Sequence, residues 1–302
     1  MINAFQIAIA TGLMAAVVNV SVAANYGKAT EVAKLKDEQI DESSGLAIGR
    51  HVRSSGSRVF WTHNDSGDGP RLFAFNDKGE TLATVEIEGA VARDWEDMAS
   101  FVVGGKPYLL IGDVGDNDRR RKHCALYIVP EPELNTRQRG VKTKVAVAQT
   151  IYYTYEGGRR DCEAVAIDVE EKAIYLITKE FSSRGGVYRI AVPKKPSSQP
   201  VVALRMGEVK IPMATGMDIS ADGSRAIVIN YAIGYEYKRE KGQSWAVVFA
   251  GKPTLVSLPG RGQGESVCYG ISGAVYATSE GKTPPLFELP VLKETPRDPK
   301  SD

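Results

Sequence analysis

Two Asp-x-Glu steps stand directly before apolar runs in the chain. "RDWEDMASF" carries Asp94 and Glu96, "RRDCEAVAID" carries Asp161 and Glu163, and each pair directly precedes an apolar run of strand character. Carboxylates held this close repel one another, and at neutral pH they coexist only with a cation, a buried Arg or Lys, or raised pKa values. Glu42 in "DESSGLAIG" and Glu265 in "GESVCYGIS" precede similar runs. A hard cation such as calcium takes six to eight oxygen ligands from carboxylates, carbonyls and waters. Glu42, Asp94, Glu96, Asp161, Glu163 and Glu265 are therefore the candidate metal ligands, and calcium is the candidate cofactor. The competing role is mechanical: the same acids can accept backbone amides from neighbouring strands, with Arg93, Arg159, Arg160 and Arg261 as ion-pair partners.

A second family of polar phrases follows these runs: "THNDSGDG", "GDVGDNDRRR", "TKEFSSR", "NYAIGYEY" and "TSEGK". They supply His63, Asn64, Asp65, Asp113, Asp116, Asn117, Lys179, Glu180 and Glu280 as candidate ligand-binding groups, since convergent polar side chains in a concavity make a binding site. The phrase "NDSGDG" opens like a calcium loop but lacks the Glu that an EF-hand places six positions after its Gly. No catalytic set stands out, and the groups able to activate water or stabilise developing charge are His63, Asp65 and Lys179. A lone His is more often structural than a general base. A three-His zinc site would need His51, His63 and His123 together. There is no nucleophile elbow, and "GRGQGES" lacks the strand-then-helix setting of a dinucleotide loop. The run "DRRRKH" (118–123) either grips a phosphate or sulfate through its Arg side chains or is a solvated loop.

These residues need a scaffold, and the sequence points to an all-β one. Short β-branched and aromatic runs bounded by Gly, Asp and Asn turns recur along the chain, with no sustained helical spacing of apolar residues. "FNDKGET", "DVEEKAI" and "SADGSRA" are hairpin turns. The runs fall into groups of four, opened by "DESSGLAIG", "DWEDMASFV", "DCEAVAIDV", "ATGMDISAD" and "GESVCYGIS". A period of roughly fifty residues with four strands per unit marks a β-propeller blade. The spacing predicts strands at 45–50, 58–64, 71–77 and 81–88, at 97–103, 107–113, 124–130 and 142–154, and at 163–169, 173–179, 187–192 and 199–210. The fifth group has only three strands, so 28–35 completes it and closes the ring without a free edge. The expected architecture is a five-bladed β-propeller over 25–292, with six blades or an irregular β-sandwich as competitors. In such a ring the acids and the second set of polar loops share one channel mouth.

The chain has 302 residues, 43% of them hydrophobic and 25% charged, with a net charge of +1. That composition fits a folded protein and gives no footprint for nucleic acid or an anionic membrane. Residues 1–23 have the apolar run and small-residue pattern of an export signal, though no Lys or Arg precedes the run. The expected location is periplasmic or secreted, the expected state monomeric without membrane attachment after signal removal, and 293–302 is expected to be disordered. Cys124, Cys162 and Cys268 suit small core residues, with a Cys124–Cys162 bridge as the alternative.

The phrases "ESSGLAIG", "WTHNDSGDGPRLFAFNDKGE", "DWEDMA", "GDVGDN" and "DCEAVA" resemble the exported bacterial propellers grouped as SdiA-regulated or phytase-like (esterase-like phytase) proteins. The Asp-x-Glu step of that group matches Asp94–Trp95–Glu96 and Asp161–Cys162–Glu163, while the fourth copy, "ATGMDIS", lacks the Glu. The resemblance implies an extracytoplasmic propeller that bears calcium, sometimes assigned phosphoester hydrolysis and often no activity at all. The functional expectation is a binding protein holding a cation and a small-molecule or protein ligand at an acidic mouth. The alternatives are a calcium-assisted phosphoester hydrolase and, third, a glycosidase with Trp61, Trp95 or Tyr231 as sugar platforms, Trp95 being the one expected to pack in the interior instead.

Overall fold

The computed structural model describes residues 26–51 and 56–292, so the expected export signal and C-terminal tail lie outside the described residues. Among the described residues the chain is almost wholly β, and no helix is long and apolar enough to cross a membrane.

The innermost strands, each buried along most or all of its length, are β2 (Ser43–Ile48), β6 (Trp95–Val103), β11 (Cys162–Asp168), β15 (Gly216–Ile219) and β19 (Ser266–Tyr269). Each neighbours the next, and β19 returns to β2, so the innermost strands form a closed cycle. From β2 the chain steps outward through β3 (Val59–Asn64), β4 (Arg71–Asn76) and β5 (Thr81–Glu88). From β6 it passes through β7 (Lys106–Asp113) and β8 (Cys124–Pro130) to β10 (Gln149–Tyr155), and from β11 through β12 (Ala173–Thr178) and β13 (Gly185–Ala191) to β14 (Ser197–Val209). The fourth group is β15, β16 (Arg225–Ile229), β17 (Ile233–Lys238) and β18 (Thr254–Ser257). The fifth is β19, β20 (Val275–Thr278) and β21 (Pro285–Leu289), completed by β1 (Thr30–Lys34), which pairs antiparallel with β21. The addition of 28–35 to the last group is thus observed.

The turns obey local chemistry. In "FNDKGE" the Asn76 side chain accepts the amides of Lys78 and Glu80, both at 3.0 Å, and Gly79 takes φ +69°. A Cβ on Gly79 would lie 1.9 Å from the Lys34 carbonyl oxygen, so this turn also seats the first strand. Apolar side chains fill the seams between groups: Trp61, Trp95 and Tyr127 between the first and second, and Phe60, Phe73 and Tyr276 between the fifth and first. All three cysteines are free and buried, as core residues.

Two expectations are corrected. The single strand predicted over 142–154 is two: β9 (Val141–Ala146) adds parallel to β5, and β10 pairs with β8. The chain crosses between sheets at Val147 and Ala148, whose amides bind Glu88 and Ile128 carbonyls, so no Gly or Pro is needed to mark the break. β10 also runs parallel to β14, fusing the second and third groups into one eight-stranded sheet. The other correction is α1 (Trp245–Phe249), a single turn too short to show periodicity. It seats Trp245 under the third and fourth groups, with its indole N–H 2.7 Å from Asp168.

Two buried carboxylates tie the innermost strands together. Asp97 accepts the amides of Met98 at 2.8 Å, Val165 on β11 at 2.8 Å and Met217 on β15 at 3.0 Å. Asp218 accepts those of Ile219 at 2.9 Å and Tyr269 on β19 at 2.8 Å. Burial pushes the Asp218 carboxyl up to about 7, against the pull of Arg50 and the two amides. A buried amide left without an acceptor costs ~1–3 kcal/mol, so Asp97→Ala should lose about 3 kcal/mol or more in denaturant unfolding, and Asp97→Asn much less. Because the Asp218 pKa is higher folded than unfolded, the folded state binds the extra proton between about pH 4 and 7, and stability falls as pH rises through that window. Asp218→Asn should flatten that fall by at most ~1.4 kcal/mol per pH unit, read from unfolding curves across pH.

Candidate functional site

The acids gather because of where the innermost strands begin. The register of β2, β6 and β11 against their partners slips at Ser44, Glu96 and Glu163, each an extra residue in a β-bulge. A bulge re-aims the side chain it carries. Thr215 and Glu265 take the matching place, one residue before the first pairs of β15 and β19. The innermost ring position thus reads Ser44, Glu96, Glu163, Thr215 and Glu265. Glu42, expected at this level, instead aligns with Asp94 and Asp161 two residues earlier and is exposed.

The second strands supply another tier. Just past β3 and β12, the amides of Asp65 and Lys179 bind the carbonyls of Glu42 at 3.0 Å and Asp161 at 3.1 Å, and past β20 the Glu280 amide binds Gln263 at 2.9 Å. These bonds bring Asp65, Lys179 and Glu280 over the acids of the first tier. In the second group the corresponding loop runs through Gly115. A Cβ there would lie 2.3 Å from Glu96 Oε1 and 2.5 Å from Asp94 Oδ2, so only glycine leaves those two carboxylates their present place.

Oxygens of Asp65, Asp94 and Glu96 lie within 4.8 Å of one another. Burial, then the charge of Asp65, pushes the Asp94 carboxyl up to about 6. Burial, then Glu163, holds Glu96 well above the usual carboxylate range. Asp65, Asp161, Glu163, Glu265 and Glu280 are raised as well, each chiefly by burial. One ammonium stands among them. Lys179 Nζ contacts Glu163 Oε1 and lies 5.4 Å from the centre of the Tyr231 ring. Burial lowers its pKa, but Glu163 more than reverses this, so Lys179 stays charged. The other Glu163 oxygen, Oε2, is buried without a hydrogen-bond partner.

The remaining predicted residues divide. Asp113 pairs with Arg121 at 2.9 Å and accepts the Asp94 amide at 3.0 Å, while the Asp116 amide binds Asp161 Oδ1 at 2.9 Å. Asn64 holds its own loop, donating to the Gln39 carbonyl at 2.7 Å and to Asp68 at 3.1 Å. Asn117 is exposed, and Glu180 pairs with Arg119 at 2.8 Å. His63 is fully buried, with Nδ1 2.9 Å from the Asn64 carbonyl and its ring edge-on to Trp95. Burial lowers its pKa to about 4, so the imidazole is neutral. Trp61 is fully buried and points its indole N–H at Glu131, and Trp95 is buried as expected, which leaves Tyr231 as the partly open aromatic. The ion pairs at the mouth are made by Lys179 and Arg121, in place of the expected Arg93, Arg159, Arg160 and Arg261.

Breaking a buried ion pair strands the remaining charge at a cost of about 3 kcal/mol or more. Lys179→Met should therefore destabilise by roughly that amount, and adding Glu163→Gln should restore most of the loss, both read from urea unfolding.

No family model and no curated protein sequence matches the chain, so the resemblance to the SdiA-regulated and phytase-like propellers rests on its own phrases. Among solved structures the chain is similar to a soluble aldose sugar dehydrogenase from Escherichia coli in its apo form, with TM-score 0.50 and 10% identity over 87% of this chain and 99% of that one. A glucose dehydrogenase structure aligns with TM-score 0.46 and 9% identity over the same shares. Sugar dehydrogenases of this kind are β-propellers, and at this identity the likeness to the first extends to the all-β propeller-type fold alone.

Proposed function

We propose that this chain is an exported five-bladed β-propeller, one domain over 25–292, that holds a divalent cation, calcium before others, at an acidic channel mouth and presents it to a ligand. Five groups of four strands around a closed cycle of innermost strands support the blade count.

One observation carries the cation. Three carboxylate oxygens within 4.8 Å of one another are close enough to converge on one calcium, whose bonds are 2.3–2.6 Å, after a small shift of the side chains. The donor set consists of hard carboxylate oxygens, as calcium requires. Gly115 keeps a space that any side chain would fill, and the unpartnered Oε2 of Glu163 offers a further acceptor nearby. Asp65, Asp94 and Glu96 are the residues that would hold the ion. Glu163, Glu265 and Glu280 would tune the site by their charge, and Lys179 and Tyr231 would meet an anionic or hydroxylated group of the ligand.

A ligand that binds only the native state raises stability by ~2.7 kcal/mol at a hundredfold excess over its Kd. Calcium added to EDTA-treated protein should raise the melting temperature more than magnesium does, with metal retained in elemental analysis. The rise should vanish in Asp94→Asn/Glu96→Gln and shrink in Gly115→Ala. A folded protein with no retained metal and no response to calcium would leave the acids as strand pins and sink the cation reading.

A further inference from the structure

A cavity of about 220 Å³ opens on the second strand group, between the loop before β8 and the loop that leads from β10 to β11. Its charged lining is Arg121, Lys122, Arg159 and Arg160 against one carboxylate, Asp116. That carboxylate is already committed: it accepts the amides of Arg120 at 2.7 Å and Arg121 at 3.0 Å and so holds the loop turn. Arg121 is balanced by Asp113, yet its Nε is buried and has no partner. Arg160 donates to neutral acceptors, the Tyr188 hydroxyl at 3.2 Å and the carbonyls of Arg159 at 2.8 Å and Gly157 at 3.2 Å. Lys122 and Arg159 are exposed and make no ion pair among the described residues.

The neighbouring groove gives the contrast. There Arg119 pairs with Glu180 at 2.8 Å, and Arg184 and Arg205 both pair with Glu208, at 3.1 and 2.6 Å. Arg160 lines both spaces and has no carboxylate partner, whereas the groove's other guanidiniums are met within the protein. The cavity's Lys122, Arg159 and Arg160 are not, in a chain whose net charge is only +1.

We propose that this cavity binds an oxyanion group of a small ligand, with the guanidinium of Arg160, the ammonium of Lys122 and the guanidinium of Arg159 as its counter-charges. Guanidinium forks bind the paired oxygens of phosphate, sulfate or carboxylate. The volume equals roughly seven water molecules, enough for one such group and part of what carries it. The exposed rim lets the anion enter, and the bond between the Asp116 amide and Asp161 fixes the cavity wall to the mouth. The site stands independently of any cation at the mouth.

Titration calorimetry and thermal unfolding with inorganic phosphate, sulfate and acetate, each against sodium chloride at equal ionic strength, test this. Phosphate should bind and raise the melting temperature beyond the chloride control. Arg159→Gln/Arg160→Gln should weaken binding at least tenfold while the protein still folds, because Arg159 is exposed and Arg160, half-buried, bonds only neutral acceptors. Asp94→Asn/Glu96→Gln should bind phosphate as the parent does, which separates this site from the cation reading. Sulfate following phosphate with acetate inert identifies a tetrahedral oxyanion, and acetate equal to phosphate identifies a carboxylate. If none of the three anions outperforms chloride, or if the Arg159/Arg160 variant responds like the parent, the proposal is overturned.

Discussion

The closed cycle of innermost strands depends on how its backbone amides are met. Adjacent groups cannot exchange a full ladder of hydrogen bonds across their inner edges, so side chains take over. Asp97 gathers amides from three strands, and Asp218 bridges the fourth and fifth groups. Hydroxyls complete the circle: Ser44 donates to the Glu96 carbonyl at 2.6 Å, Thr215 to that of Gly264 at 3.1 Å, and Ser266 to that of Ser43 at 2.9 Å. Buried polar groups of this kind hold a structure together only when each is satisfied. The axis is therefore polar for mechanical reasons before any functional one.

The mouth above it obeys different physics. Its acids are raised by burial first and by one another second, and a single ammonium serves most of them. Holding such groups close without a full set of counter-charges costs stability. Two acids that serve the fold, Asp113 beside the mouth and Asp168 at the far end of β11, have guanidinium partners at 2.9 Å. Within one molecule, acids with a guanidinium partner therefore stand beside a cluster whose acids outnumber the cations that face them.

Much of this was legible in the sequence, and what was not has physical causes. The repeat is visible because every hairpin needs turn residues at its tip, and the Asp-x-Glu step is visible because it recurs before two apolar runs. A bulge leaves no such trace, since it changes pairing and not composition. For that reason Glu42 looked equivalent to Glu96, whereas Ser44 holds that place. Thr215 likewise fills the ring position in the group that seemed to lack a member. The crossover at Val147 and Ala148 was invisible because both sides of it are ordinary strand sequence. His63 was ambiguous by type alone, and only its complete burial against Gly45 and Trp95 assigns it to the interior.

The pairing of β1 with β21 joins Thr30 to Glu288, nearly the two ends of the described chain. A contact of that sequence separation brings high loop-closure entropy and slow folding. The first strand to be made must wait, with its pairing edge open, until the last has been made. Until then the fifth group lacks its outer strand, and the outer edge of β21 is free to recruit another chain. Ring closure thus needs both ends of the described chain: without β1 or β21 the fifth group is a strand short and its edge stays open.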